Sequence, residues 1–222
     1  MKNILVPIGT SSDSHETLQY AVQFAKDFGS GIYVMEVFSF TAMAGNLSNA
    51  EEKVAELSKS HLREVIDKVD AMGVDIKIAT YNGDLIDGLK EIDMELGIDL
   101  IIISPRSNDI KEELYLGPTS GRIIKRTDIP TLIVPRGTKY KPFKSILTAF
   151  ASGVLKKKRI LDPLIAIQAK FKSKINLLPR LLHLHHQKPP KMPPYLLEHL
   201  PARHINPPPL SPAFHHQPIE QP

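Results

Sequence analysis

Two apolar runs within one 35-residue stretch, Leu100 to Val134, constrain this chain more than anything else in it. Leu100-Ile101-Ile102-Ile103 is unbroken, too short for a membrane, and typical of a strand covered on both faces. Thr131-Leu132-Ile133-Val134 is a second β-branched run, fenced by Pro130 and Pro135. Between them lie a polar loop, then Gly117-Pro118 and a short helical pattern closing on Lys125 and Arg126. Proline suits the first turn of a helix and cations suit the last. A strand–loop–helix–strand unit of this length requires parallel strands. Its loop leaves the carboxyl end of a central strand, where open parallel sheets bind ligands.

The rest of the first 137 residues repeats this alternation. Lys2 to Ile8 reads as a central strand through Ile4-Leu5-Val6. After the polar turn Gly9-Thr10-Ser11-Ser12, Asp13 or Ser14 caps a helix with Leu18, Ala21, Val22, Ala25 and Phe28 inward and Gly29 as its stop. Ile32 to Phe38 is a strand. Ser39 to Asn49 is a loop, and a long helix then spans about Ala50 to Met72 with Val54, Leu57, Val65 and Val69 inward. Val74, Ile76, Ile78 and Thr80 alternate with Asp75, Lys77 and Ala79 as in a half-exposed edge strand. Asn82-Gly83-Asp84 leads into a helix over Leu85 to Leu96. Five strands and four helices in alternation make a doubly wound parallel sheet. The two most apolar strands sit side by side in the middle, so Gly9-Thr10 and Ser104-Pro105-Arg106-Ser107 meet in one crevice.

VPIGTSSDS after the first strand, the long loop before GPTSG, and RIIKRTDIPTLIVP together resemble the universal stress protein family. The resemblance covers residues 1–137 and extends more faintly over 142–177. It implies a fold of the adenine nucleotide alpha-hydrolase type, strand order 3-2-1-4-5, and a stress-response role. Many members bind ATP through Gly-x2-Gly-x9-Gly-[Ser/Thr]. Here Ser104 and Ser107 stand at the first two glycine positions, Gly117 keeps the third, and Pro118 follows it. Gly9 stands where many members carry a nucleotide-site Asp. The nucleotide site this implies comprises Gly9, Thr10, Ser104, Arg106, Ser107, Gly117, Thr119 and Ser120. Backbone N–H groups at the helix start would meet phosphate, with serine hydroxyls and Arg106 as further donors. The bland alternative is that Gly117-Pro118 is only a loop-to-helix turn.

After Arg136-Gly137-Thr138 the pattern restarts. FKSILTAFASG echoes KNILVPIGTS, and AKFKSKINL echoes AKDFGSGIYV, placing Phe171 with Phe28 and Ile175 with Ile32. The expected organisation is a domain at 1–137, a linker at 138–141, and the first strand, helix and second strand of a repeated domain at 142–177. Residues 178–222 hold 12 of the 19 prolines and 7 of the 9 histidines, with no Gly, Val or Asp. This composition predicts a disordered tail with polyproline character. It is read as an interruption of the repeat, by a reading-frame shift, which the coding DNA decides.

Charge divides the same way. Residues 1–137 carry 14 Lys/Arg against 21 Asp/Glu, a balance of −7, and residues 138–222 carry 14 against 3, or +11, giving the net +4. An acidic folded part is a poor partner for nucleic acid, and Lys156-Lys157-Lys158-Arg159 reads as a solvated face. With no cysteine there is no disulfide framework or thiolate metal site. His183, His185, His186, His215 and His216 lack acidic partners at ligand spacing, so no metal site is expected. His15 and His61 read as surface residues. No Gly-x-Ser-x-Gly, Walker lysine motif or other catalytic set appears, and no membrane span or signal peptide. The expectation is a cytoplasmic, non-enzymatic regulator acting through protein association, with no required cofactor and ATP as a possible ligand. The alternatives are a slow ATP hydrolase and an interaction module with no nucleotide site. In the family the last strand often pairs across a dimer, which implies a homodimer through Thr131–Val134.

Overall fold

The computed structural model describes residues 1–9, 11, 14–40, 50–105, 117–149 and 161–178. In chain order the elements are β1 (Asn3–Pro7), α1 (Ser14–Phe28), β2 (Gly31–Phe38), α2 (Ala50–Asp67), β3 (Ile76–Asn82), α3 (Leu85–Leu96), β4 (Leu100–Ile103), α4 (Gly117–Arg126) and β5 (Thr131–Ile133). They are followed by β6 (Ser145–Ala149), α5 (Asp162–Phe171) and β7 (Lys174–Leu178). β1 to β5 form one parallel sheet with β1 beside β4 in the middle, as the strand pattern predicts, in the order 3-2-1-4-5 that the family resemblance implies. Ile4 pairs with Ile32 on one side of β1 and with Leu100 on the other.

Strand alternation divides the core into two layers. Ile4, Val6, Ile32, Val34, Leu100 and Ile102 face one way, against Leu18, Val22, Phe24 and Leu62 of α1 and α2. Leu5, Met35, Ile101 and Ile103 face the other way, against Ile86, Leu89 and Ile92 of α3 and Ile123 of α4. Each such side chain, fully buried, contributes about 1.5–3 kcal/mol. Asp84 caps α3 by accepting from Ile86 N at 2.8 Å, and Gly97 ends it in the left-handed region at φ 63°. Asp99 accepts from the amides of Lys2 and Asn3, which ties the start of β4 to the start of β1.

Two details of α2 depart from the periodicity. The helix stops at Asp67 rather than Met72, because the Gln19 side chain captures both backbone groups of Asp70 at 3.2 and 3.0 Å. Asp70 Oδ1 also accepts from Met72 N, which has φ 50°, so the chain turns where helix was expected. The buried stripe of α2 is Ser58, Leu62 and Val65, and Leu57, expected inward, is 69% exposed.

The described residues up to Leu178 belong to the first compact unit of the chain, and the tail beyond them, expected to be disordered, lies outside the described residues. Within the first unit, β6 and β7 make a separate two-stranded parallel sheet that reproduces β1 and β2 in detail. Ile146 pairs with Ile175 as Ile4 pairs with Ile32. Lys174 N donates to Lys144 O at 2.9 Å, as Gly31 N does to Lys2 O at 2.8 Å. The Ser173 hydroxyl donates to Phe143 O, as that of Ser30 does to Met1 O. α5 ends at Lys172 with φ 53°, the counterpart of Gly29 with φ 63°.

This repeated unit docks on α1 through aromatic rings. Phe171 meets its own counterpart Phe28 edge-on at 5.7 Å, and Phe143 meets Phe24 at 6.2 Å. Contact between equivalent residues is what a pseudo-twofold relation produces. Ile167 of α5 is buried in the same core layer as Phe24. Tyr140, in the segment read as a linker, is half-buried against Tyr20 and donates to Asp27 Oδ2 at 2.5 Å. Its burial, with that carboxylate beside it, pushes the phenol well above its usual range.

Candidate functional site at the carboxyl ends of β1 and β4

Strand order reverses between β1 and β4, which makes their carboxyl ends the switch point at which such sheets bind ligands. Gly9, half-buried, follows β1, and Ser104 follows β4. Thr10, Arg106 and Ser107 lie outside the described residues, as do the tail histidines and Lys156–Arg159. Ser14, first in α1, fixes the turn after β1: its hydroxyl lies 3.1 Å from Gly9 O and 2.8 Å from Ser11 O.

α4 starts at Gly117-Pro118, as the sequence predicts. Thr119 is exposed, Ser120 is 3% exposed, and Ile123 is in the core. Arg122, one turn further, reaches across to α3 and donates to Asp84 Oδ2 at 2.6 Å. That guanidinium, with the Ile86 amide, holds the Asp84 carboxyl below the usual carboxylate range. The pair locks the start of α4 to the start of α3, a link with no signal in sequence spacing. Another such link joins His61 Nδ1 on α2 to both carboxylate oxygens of Glu36 on β2 at 3.1 Å. His61 is thus anchored as well as half-exposed.

The Ser104 hydroxyl is the feature that marks the site. Its oxygen is buried and has no hydrogen-bond partner among the described residues, and such groups are uncommon enough to need a reason. It faces a cleft lined also by Glu16, Thr17, Val134 and the turn Pro135–Thr138, which closes by Thr138 N donating to Pro135 O. The free volume there is about 10 Å³, roughly one water's room. A larger cavity of about 440 Å³ opens at the opposite, amino ends of the strands, beside Asn3, Lys26, Tyr33, Asp75 and Lys77. Of its two ammonium groups, Lys77 is already engaged, 3.4 Å from Asp75 and 5.7 Å from the Tyr33 ring centre. Topology and a buried hydroxyl with no partner among the described residues therefore favour the smaller cleft.

Among the described residues, no three His, Asp or Glu side chains are grouped to hold a metal ion. No helix there is long and apolar enough to cross a membrane.

Comparison with known proteins agrees with the fold. The model of the universal stress protein family matches residues 1–135. A universal stress protein of Methanocaldococcus jannaschii is 27% identical over 143 residues, covering 62% of this chain and 84% of that protein. The crystal structure of a universal stress protein from Archaeoglobus fulgidus superposes with a TM-score of 0.55 at 21% identity, covering 79% of this chain and 64% of that one. A universal stress protein crystallised in complex with cAMP gives a TM-score of 0.49 at 20% identity, covering 60% of this chain and 96% of that one. With the family model spanning more than half its length and the strand order in agreement, this chain belongs to the universal stress protein family.

Proposed function

We propose that this stress protein is a non-catalytic regulator that works in the cytoplasm by associating with protein, and that its carboxyl-end cleft takes an adenine nucleotide weakly. The supporting observation is the Ser104 hydroxyl, buried at the switch point with no hydrogen-bond partner among the described residues. Burying such a group costs about 1–3 kcal/mol until something bonds to it. A phosphate oxygen is a suitable acceptor, and the start of α4 in the same segment of chain favours an anion. Weakness follows from Glu16 and the turn Pro135–Thr138, which narrow the cleft. Pro118 also lacks one N–H at the helix start. Association with a second copy runs through the outer edge of β5, Thr131–Val134, because β5 ends the sheet order.

Thermal melting of the full chain with and without millimolar ATP and magnesium tests the nucleotide. Ligand at about 100 times its dissociation constant adds about 2.7 kcal/mol, a rise of roughly 5–10 °C in a domain of this size. Ser104→Ala should melt no lower than the parent, since the hydroxyl it removes has no partner among the described residues, and should lose the ATP response. An unchanged melting temperature for the parent would leave an interaction module with no nucleotide site, the reading that the filled cleft favours. Release of phosphate from ATP by the purified chain, abolished in Ser104→Ala, would instead support a slow hydrolase.

A further inference from the structure

β6 is the counterpart of β1, yet its surroundings differ. β1 is paired on both edges, and Leu5 at its centre is fully buried beneath α3 and α4. β6 pairs only with β7 among the described residues. Leu147, standing where Leu5 stands in β1, is 69% exposed. An edge strand of five residues presents a row of N–H and C=O groups ready for pairing. Proteins usually blunt such edges with proline, charge or a bulge. Ser145–Ala149 contains no proline and no charged residue.

We infer that β6 is a second association edge, at which two copies of this chain pair antiparallel about Leu147. The strand is self-complementary in that sense. Leu147 is its middle residue, so a twofold axis through it sets Leu147 opposite Leu147 on one face. The flanking pairs are Ser145 with Ala149 and Ile146 with Thr148, none of them bulky on both sides. Charge selects the same arrangement. Lys144 and Lys174 lie together at the start of the β6–β7 ladder, joined by the Lys174 N to Lys144 O bond. Parallel pairing of β6 with β6 would bring these lysine pairs side by side. Antiparallel pairing sends them to opposite ends, about 20 Å apart along the ladder. The occupant is thus a second copy, and the edge is distinct from that of β5, whose three-residue ladder is fenced by Pro130 and Pro135.

The chain has no cysteine, so one introduced thiol reports the pairing without interference. Residues directly opposite in an antiparallel ladder have Cα atoms roughly 4.5–5.5 Å apart, within disulfide range. Leu147→Cys in the full chain at ~10 µM should therefore oxidise to a disulfide dimer on the order of 100-fold faster than Leu177→Cys on β7, given a millimolar effective concentration at the axis. Leu147→Lys should keep the parent's far-ultraviolet circular dichroism and show a smaller mass by light scattering. Equal rates for Leu147→Cys and Leu177→Cys would overturn the inference. Leu132→Cys on β5 separates it from the other edge. Fast oxidation there with slow oxidation at 147 means association through β5 alone, and the reverse means association through β6 alone.

Discussion

Replacing Ile167 by alanine decides whether the repeated unit is structurally part of the first 137 residues. Ile167 lies on α5, 8% exposed, in the same core layer as Phe24, Leu18 and Ile4. The substitution removes three carbons, about 2.4 kcal/mol at roughly 0.8 kcal/mol each, and the cavity left behind adds to this. A loss of about 3 kcal/mol lowers the melting temperature of a unit this size by roughly 6–12 °C. The assay is thermal unfolding followed at once by far-ultraviolet circular dichroism and by tyrosine absorbance, which reports Tyr20 and Tyr140 at the docking surface. Both signals should shift together in one cooperative transition. Met94→Ala on α3, where the side chain is 80% exposed, is the control and should move stability by no more than about 0.5 kcal/mol. Two separate transitions, with the larger one unmoved by Ile167→Ala, would refute the argument and make β6–α5–β7 an appendage.

Two further outcomes follow from the geometry. A Cβ built on Gly88 of α3 would lie 2.6 Å from Met35 Cε and 2.8 Å from Tyr81 Cγ, so Gly88→Ala should destabilise. The overpacking costs about 1–3 kcal/mol, against a gain of up to about 1 kcal/mol from helix propensity. A raised melting temperature would contradict the close packing of α3 on β2 and β3. Tyr140 has its proton held more tightly folded than unfolded, so its contribution is complete below the ordinary phenol value of 10.0 and is lost as pH rises through and beyond it. Tyr140→Phe should cost about 1 kcal/mol at neutral pH, the pair being partly open to solvent, and should flatten the alkaline loss of stability. An equally steep alkaline loss in Tyr140→Phe would assign it to other groups.

Much of this protein is determined by local sequence. The runs Ile4-Leu5-Val6 and Leu100–Ile103 read as strands covered on both faces, and the sheet places them side by side. Asp84 and Gly97 delimit α3 by side-chain capping and a left-handed turn, both local effects. The restart at residue 142 is legible because a repeated pattern meets the same constraints twice. What tertiary structure decided depends on groups far apart in the chain. Gln19 ends α2 early across 51 residues, and a 100° error in helix phase separates Leu57 from the buried Ser58. At the site, sequence places Gly9 and Ser104 at neighbouring strand ends, because parallel strand order does. It cannot show that Glu16 and the turn Pro135–Thr138 close over Ser104, nor that Arg122 reaches Asp84. The docking of Phe171 on Phe28 is likewise invisible to periodicity, which says which face of a helix is apolar and not what will cover it.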